Sequence, residues 1–332
     1  MENQIDQTMN YQSSLSNPRN EISELSNDKI IAHNSQTFSP SRVKLEDGHH
    51  PDTSTQKTLR SSMDGFDSIF VDENGIPYVD YDKQSPDLGI GIQRNPVTVV
   101  HAAMDFYNAE DTKFFINNVD WLVRNAVPKD GFSTFEYTFD WPVYDLEQPW
   151  KSAMANGGAL TPLVKAHEIT GNAMYLYTAK QLLNSFFVEV EDGGVTYKDS
   201  ESWWYEEYVG DNEDAEESRV LNGMLYALID VYEYYKYTDD MNAKLIFDKG
   251  VNSVKENLAK YDNGEGYSYY DILGNPANNY HLAHVDLLNK LYDITNEDIF
   301  REYSEKWSEE DQEQQDEGDY GGGNGSREDN EK

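Results

Sequence analysis

A helical joint that occurs four times is the sequence feature that most constrains the fold. The joints are 106–111 (FYNAED), 167–172 (HEITGN), 235–240 (YKYTDD) and 292–297 (YDITNE). Each follows an amphipathic segment, turns on Gly, Asn, Asp or Thr, and leads into a second amphipathic segment. Helical hairpins repeated in this way bury one another's apolar faces, as they do in solenoids and α/α toroids. The sequence therefore predicts a mainly α fold.

The joints define four predicted hairpins inside a helical domain at 95–307. In chain order, the paired segments are 95–107 with 110–126, 150–169 with 172–187, 218–237 with 239–259, and 278–293 with 296–307. The segment 62–94 is predicted to be a short β-rich lead-in. Within it, the apolar segments 68–71 and 76–79 flank turn-forming residues and resemble a hairpin.

The two ends of the chain differ from this body in composition. Residues 1–61 are rich in Ser, Asn and Gln, and residues 308–332 are strongly acidic, with few large apolar side chains in either segment. Segments of this kind cannot bury enough apolar surface to fold alone. We therefore predict a disordered head and a disordered acidic tail.

Charge and cysteine usage exclude several classes of protein. The chain has 62 acidic and 26 basic side chains, a net charge of −36, and no cysteine. A general nucleic-acid binder needs the opposite charge, and disulfides and thiolate metal sites need cysteine. No apolar run is long enough to span a bilayer, and no signal peptide is recognisable. We expect no nucleic-acid or membrane partner, and a cytoplasmic location is the default prediction.

Three loops between the hairpins are rich in aromatic residues. They are 129–141, 193–208 and 261–271. Tyr and Trp offer a flat apolar face and a hydrogen-bonding tip, which suits the binding of sugar rings. The alternative is that these side chains only seal the ends of a helical barrel. The segment 203–208 (WWYEEY) favours binding most, because Glu206 and Glu207 lie among its aromatic residues.

Several motifs resemble those of the D-glucuronyl C5-epimerase family. They are 150–159 (WKSAMANGGA), 204–208 (WYEEY), 220–223 (VLNG), 261–264 (YDNG) leading to Tyr270, and 280–284 (YHLAH), with 94–97 (RNPV) as an extension. The motifs occur in the family's order across about 150–307. The resemblance implies an incomplete α/α toroid of helical hairpins with β-hairpin loops, preceded by a short β-rich part.

The family resemblance also implies a reaction. Epimerisation at C5 of a glucuronosyl unit removes the proton next to the C6 carboxylate and returns one to the other face. The resemblance assigns this chemistry to Glu207, Tyr208, Tyr270 and Tyr280. We predict that Glu207 and Tyr280 form the opposed acid–base pair and that the other two assist. The implied substrate is a glucuronate-containing polysaccharide or glycan, similar to heparan sulfate, and no cofactor is expected.

Residues in the same motifs are candidates for substrate binding. They are Trp203, Trp204, Tyr205, Asn156, Asn222, Arg219, His281 and His284. Animal family members carry Arg at the position of Leu273 and Gln at that of Asn156. Arg is the natural clamp for a carboxylate, so Leu273 puts the substrate in question. Arg219 either replaces this clamp or stabilises the start of a helix by pairing with Glu216 or Glu217.

Other interpretations of the sequence remain open. His281 and His284 have the spacing of a metal-binding pair, but no third ligand motif follows, and we predict that they contact substrate or hold Tyr280. The rival functions are a uronate polysaccharide lyase or a glycoside hydrolase on the same toroid, and a carbohydrate-binding protein without catalysis. A hydrolase needs two separated carboxylates, for which Asp271 would have to join Glu206 or Glu207. A homodimer is also left open.

Overall fold

Capping residues place the bends of the four hairpins where the sequence predicts them. The computed structural model describes residues 68–212 and 217–319. In the first three hairpins, the second helix begins at a residue whose side chain accepts a hydrogen bond from the first turn: Asp111, Asn172 and Asp240. Gly171, Asp239 and Asn296 end a preceding helix in the left-handed conformation. Both arrangements satisfy backbone groups that a helix end leaves without a partner.

The described residues form ten α-helices. They are α1 (Tyr81–Gln84), α2 (Pro96–Asn108), α3 (Thr112–Asn125), α4 (Ala153–Gly158), α5 (Leu160–Thr170), α6 (Ala173–Asn184), α7 (Leu221–Thr238), α8 (Met241–Asn257), α9 (His281–Thr295) and α10 (Asp298–Asp319). The predicted hairpins correspond to α2 with α3, α4 and α5 with α6, α7 with α8, and α9 with α10.

These hairpins form two layers of helices. The inner helices contact one another in chain order, α2 with α4, α4 with α7, and α7 with α9. The outer helices α3, α6, α8 and α10 each pack on the inner helix of their own hairpin. Buried apolar side chains from both layers join in one core. The fold is thus mainly α, an incomplete α/α toroid, and confirms the predicted class.

In the described part of the chain, three small antiparallel sheets accompany the helices. The first contains β1 (Ile69–Val71), β2 (Pro77–Asp80) and β3 (Ile92–Gln93), and Phe70 of β1 lies opposite Tyr78 of β2. This sheet confirms the predicted lead-in hairpin. Two further hairpins are β4 (Ala126–Pro128) with β5 (Ser133–Phe135) and β6 (Thr196–Lys198) with β7 (Trp203–Tyr205). Strand β4 precedes the predicted aromatic loop 129–141, β5 lies in it, and β6 and β7 lie in the predicted loop 193–208.

The last helix continues further than the sequence pattern predicts. Helix α10 ends at Asp319, whereas the predicted acidic tail begins at 308. The added residues are mostly Glu and Gln, which favour helix by intrinsic propensity even where no apolar face supports it. The predicted head at 1–61 and the rest of the tail lie outside the described residues. None of the described helices offers an apolar stretch long enough to cross a membrane.

Candidate active site

The loops that lead into the inner helices carry the candidate site. Helices of one hairpin are antiparallel, so the loops that connect an outer helix to the next inner helix collect at one end of the toroid. Glu207 and Tyr208 follow β7 in the loop before α7, and Tyr270 and Tyr280 lie in the loop before α9. The topology therefore brings together residues that are far apart in the sequence.

Glu206 is buried and surrounded by hydrogen-bond donors. Its Oε1 accepts from Ser218 Oγ at 2.9 Å and from the backbone N–H groups of Glu207 at 3.0 Å and Tyr208 at 3.4 Å. Its Oε2 accepts from the backbone N–H of Arg219 at 2.9 Å. Burial raises the pKa of Glu206 to about 7, although these donors oppose the shift. This carboxyl holds the loop between β7 and α7 in shape.

Glu207 is also buried, but one of its oxygens has a different environment. The residue is 8% exposed, and its Oε2 finds no hydrogen-bond partner among the described residues. Burial raises the pKa of Glu207 to about 8, and the neighbouring Glu206 adds to the shift, while a hydrogen bond with Tyr208 lowers it. A carboxyl with this pKa exchanges its proton near neutral pH, as a general acid–base group must.

Gly223 in the first turn of α7 provides the space for the Glu207 carboxyl. A Cβ atom at this position would lie 2.1 Å from Glu207 Oε2 and 2.8 Å from Glu207 Cδ. No side chain larger than hydrogen fits there unless the carboxyl moves. The glycine of the VLNG motif is thus explained by a close approach between the helix backbone and Glu207.

Tyrosines extend from Glu207 towards the surface. Tyr208 lies near both Glu207 and Tyr270, and the rings of Tyr270 and Tyr280 lie 5.2 Å apart. Tyr280 is 47% exposed, whereas Tyr208 and Tyr270 are half-buried. Burial, followed by the nearby Glu207, raises the pKa of each of the three phenols. The structure thus brings the predicted catalytic residues into one cluster.

Two aromatic residues that the sequence interpretation did not select also border this cluster. The Trp141 ring lies parallel to the Tyr208 ring at 5.8 Å, and the Tyr144 ring is 5.1 Å from it. Tyr144 Oη donates to Asp271 Oδ2 at 2.7 Å. The signal for them in the sequence is weak. Trp141 is the last residue of the aromatic loop 129–141 and Tyr144 lies three positions beyond it, but no charged residue of the family motifs adjoins them.

Three of the predicted substrate-binding residues lie in the core instead. Trp204 is 2% exposed and stacks on Tyr261, and Tyr205 is fully buried, with its Oη donating to the carbonyl of Ile246. Asn156 is fully buried, accepts from the backbone N–H of Phe135 and donates to Ser185 Oγ. Tyr205 and Asn156 have protein hydrogen-bond partners, and Trp204 is stacked on Tyr261, so the burial of these three residues favours a structural role over the predicted direct contact with substrate.

Trp203, Arg219 and Asn222 occupy intermediate positions. Trp203 is half-buried against Phe187. The Arg219 guanidinium pairs with Glu217, as in the second of its two predicted roles. Asn222 is buried beside Gly223, and its Oδ1 lacks a hydrogen-bond partner in the described part of the chain. Of these residues, Asn222 lies nearest in sequence to the glycine that accommodates Glu207.

The two histidines hold the start of α9. Ser268 Oγ lies 2.8 Å from Nδ1 of His281 and 2.8 Å from Nδ1 of His284. His281 Nδ1 accepts from the backbone N–H of Ser268, so its Nε2 is the protonated nitrogen and donates to the Trp307 carbonyl at 3.0 Å. Burial lowers the pKa of His284 to about 3, which keeps it neutral. Both histidines are buried, and this arrangement favours a role in holding Tyr280 over contact with substrate.

Within 68–212 and 217–319, no three His, Cys, Asp or Glu side chains lie close enough to hold one metal ion. The buried carboxyls of Glu206 and Asp271 accept hydrogen bonds from backbone and side-chain donors.

Comparison with known proteins identifies the family. The chain belongs to the family described as D-glucuronyl C5-epimerase C-terminus, which matches residues 129–309. An uncharacterised protein of Methanocaldococcus jannaschii is 33% identical over 205 residues, which cover 60% of this chain and 65% of that protein. The D-glucuronyl C5-epimerase of Caenorhabditis elegans is 31% identical over 214 residues, 58% of this chain and 34% of that enzyme. The chain thus spans less than two thirds of either relative.

Two solved structures are similar at low sequence identity. The cellobiose 2-epimerase from Bacillus thermoamylovorans B4167 is 18% identical, with a TM-score of 0.43 over 67% of this chain and 58% of that chain. The endo-beta-1,4-glucanase CMCax from Acetobacter xylinum is 12% identical, with a TM-score of 0.38 over 62% of this chain and 59% of that chain. These likenesses say nothing about the chemistry of this chain.

Proposed function

We propose that the protein is an isomerase that inverts C5 of D-glucuronosyl units in a polysaccharide or glycan to give L-iduronosyl units. Family membership and the worm relative support an epimerase that acts on carbohydrate. The observation that carries the proposal is the buried Glu207 carboxyl, which has a pKa raised to about 8 and lies beside Tyr208. Such a group can take up and release a proton within one turnover.

The proposed reaction moves two protons and breaks no carbon–oxygen bond. The Glu207 carboxylate removes the C5 proton of one epimer, and the electron pair of that bond moves into the C6 carboxylate to form an enediolate. The Tyr280 phenol then donates its proton to the opposite face of C5, and the electron pair returns to form the new C–H bond. Exchange with water restores the protonation of Glu207 and Tyr280. In the reverse direction the two residues exchange roles.

Tyr208 and Tyr270 act as hydrogen-bond donors in this proposal. Burial and the nearby Glu207 raise the pKa of both phenols, so both keep their protons at neutral pH. A protonated phenol can donate to an oxygen on which negative charge develops. The two tyrosines are therefore suited to stabilising the enediolate, and Glu207 and Tyr280 are suited to moving protons.

The surroundings of Asp271 argue against a glycoside hydrolase. A hydrolase needs a second carboxylate that is free to act across the glycosidic bond. The Asp271 carboxyl is fully buried, and both of its oxygens accept hydrogen bonds, from Tyr144 and from the turn that follows it. A carboxylate in this position supports the loop and is poorly placed to attack or to activate water.

Leu273 and Arg219 bear on the class of substrate. Leu273, which stands where animal members of the family carry Arg, is exposed in the turn after Asp271. The Arg219 guanidinium pairs with Glu217 and is not free for a uronate carboxylate. We propose that the substrate is a glucuronate-containing polysaccharide related to heparan sulfate. The phenols around Glu207 would then donate hydrogen bonds to its C6 carboxylate.

Incubation with a glucuronate polysaccharide in D₂O tests the proposal. The expected result is deuterium at C5 with chains of unchanged length. A lyase shares the proton removal but expels the C4 substituent, so an unsaturated product that absorbs in the ultraviolet would identify it. New reducing ends without unsaturation would identify a hydrolase. Retained binding without deuterium uptake would identify a carbohydrate-binding protein and contradict the proposal.

A further inference from the structure

A hydrogen bond between two loops lies beside the acid–base cluster. Tyr144 Oη donates to Asp271 Oδ2 at 2.7 Å, and the two residues are 127 positions apart in the chain. Tyr144 is 2% exposed, and Asp271 is fully buried. A hydrogen bond that water does not reach keeps its strength, and the loss of its donor leaves a buried oxygen with fewer partners. The bond therefore fixes the two loops relative to each other.

Asp271 also organises the turn that follows it. Its Oδ1 accepts from the backbone N–H groups of Leu273 and Asn275, each at 3.1 Å, and its Oδ2 accepts from Asn275 Nδ2 at 2.7 Å. The backbone N–H of Tyr270 donates to the Asn275 carbonyl at 2.6 Å and closes the turn. The position of Tyr270 thus depends on the position of the Asp271 carboxyl.

Tyr144 is not itself suited to carry a proton. Burial, and the hydrogen bond to Asp271, raise the pKa of Tyr144 well above the ordinary value of a phenol. Its hydroxyl proton is donated to Asp271. The Tyr144 ring contacts Tyr208 at 5.1 Å between centroids. Tyr144 therefore contacts one catalytic tyrosine through its ring and controls another through Asp271.

We infer that Tyr144 is a positioning residue, whose hydrogen bond to Asp271 holds Tyr270 against Tyr208 in the geometry needed for proton transfer. The inference rests on the proposed function of the Glu207 cluster. It assigns a role to a loop residue that the catalytic motifs do not contain. It also explains why the carboxyl of Asp271, adjacent to Tyr270, is buried.

A matched control is available in the outer layer. Tyr175 of α6 donates from its Oη to Asp120 Oδ1 of α3 at 2.8 Å, and Tyr175 is 4% exposed. Tyr144→Phe and Tyr175→Phe therefore each remove one tyrosine–aspartate hydrogen bond and keep the ring, although the bond is buried at Tyr144 and part-buried at Tyr175. We expect similar losses of melting temperature in the two variants. A purely structural role for Tyr144 would also give them similar activities.

Kinetics distinguish the two roles. We expect kcat for C5 inversion to fall about 10- to 100-fold in Tyr144→Phe, because small misplacements of reacting groups have effects of this size. KM should stay unchanged, and so should the pH at which the Glu207 carboxyl titrates in the pH–rate profile. Tyr175→Phe should keep normal kcat. Equal kcat in the two variants would overturn the inference. If Tyr144→Phe does not fold, Asn275→Ala is the second test, because Asn275 is exposed and its side chain donates to the same Asp271 oxygen. This variant must fold and have a reduced kcat. Normal kcat in Asn275→Ala would overturn the inference.

Amide hydrogen exchange gives a readout that needs no turnover. Exchange at 268–280 should be faster in Tyr144→Phe than in wild type and unchanged in Tyr175→Phe. This result does not depend on turnover. If wild type failed to exchange the C5 proton of any glucuronate polysaccharide, that failure would refute only the proposed function. Unaltered exchange at 268–280 in Tyr144→Phe would refute the proposed hydrogen-bonded link between the loops.

Discussion

The carboxyl groups of Glu206 and Glu207 are adjacent in the chain, both buried, and surrounded by different partners. Glu206 accepts hydrogen bonds from Ser218 and from backbone N–H groups on both sides of the loop before α7. Glu207 lies against the backbone of Gly223, and its Oε2 has no hydrogen-bond partner within the described ranges. Burial raises the pKa of both carboxyls, to about 7 for Glu206 and about 8 for Glu207.

The difference teaches how one short segment can supply both a support and a reactive group. Donors around Glu206 satisfy its oxygens, so a change there removes hydrogen bonds that hold the loop. The Glu207 carboxyl lacks such a set of donors and lies beside tyrosines instead, so its proton can be exchanged. A buried polar atom without a partner is costly and, in a native site, commonly has a functional reason. We therefore propose that Glu206 contributes to stability and Glu207 to turnover.

The largest expected effect separates the two glutamates. Glu207→Gln should reduce turnover by about 10²- to 10⁴-fold, the usual contribution of a general acid–base group, with little loss of stability. Glu206→Gln should instead lower the free energy of unfolding by about 1–3 kcal/mol, because an amide NH₂ cannot accept from the donors that face it. Turnover is measured by C5 inversion at pH 8, where the Glu207 carboxyl is partly ionised, and stability by urea unfolding at pH 6, where it is protonated. The opposite pattern, with Glu206→Gln folded normally but inactive, would reverse the assignment.

A second prediction concerns the space that Gly223 provides. Gly223→Ala should lower turnover by about 10- to 100-fold, because the new Cβ displaces the Glu207 carboxyl. The helix itself should gain from the change, since Ala is favoured over Gly by about 1 kcal/mol in helix interiors. The control is Gly158→Ala, also in an inner helix, where the nearest atom to a new Cβ is Val100 Cγ1 at 3.3 Å. Normal turnover in Gly223→Ala would show that the position of the carboxyl is not critical.

The third prediction is a dependence of stability on pH. The pKa of Glu207 is raised from 4.5 to about 8 on folding, so between these values the folded protein holds a proton that the unfolded chain has lost. Stability must therefore fall as pH rises through this window. From pH 6.5 to 8, the contribution of Glu207 should lower the free energy of unfolding by about 1–2 kcal/mol, and Glu207→Gln should remove this loss. Neutral His284 has the opposite effect on stability, but it acts at lower pH. Equal slopes in wild type and Glu207→Gln would contradict the raised pKa.

The smallest expected effect concerns Arg219, whose backbone and side chain serve different partners. Its backbone N–H donates to Glu206, and its guanidinium pairs with Glu217 near the surface. Arg219→Ala keeps the backbone donor, so stability should change by less than about 1 kcal/mol. The KM for a glucuronate polysaccharide should also stay unchanged. A marked rise in KM would favour the first of the two roles predicted from the sequence, in which Arg219 clamps the substrate carboxylate.

The helical architecture was predictable because local signals and apolar periodicity agree along the chain. The joints around Gly171, Asp239 and Asn296 lie where the sequence predicts them, and capping side chains follow the first two. The end of α10 was not predictable from apolar pattern, since Glu and Gln extend a helix by propensity alone. Where signals at different levels agree, the fold follows from the sequence.

The details of the site were less predictable. Strand β7 packs against α7 and α8 and pairs with β6, so Trp204 and Tyr205 are both buried although they point to opposite sides of the strand. Alternation along a strand identifies a binding face only when one side is open. The sequence also gives no sign that Glu206 is surrounded by donors, because those donors are backbone groups positioned by the folded loop.

The central claim is that Glu207 and Tyr280 exchange protons on opposite faces of C5. The most direct test is residual deuterium uptake at C5 in D₂O by Glu207→Gln and Tyr280→Phe, measured separately from the glucuronosyl and the iduronosyl polymer. The account predicts opposite biases, with Glu207→Gln retaining exchange from the epimer for which Tyr280→Phe loses it. Parallel loss of exchange from both epimers in both variants would contradict the account, and would indicate one base that serves both faces.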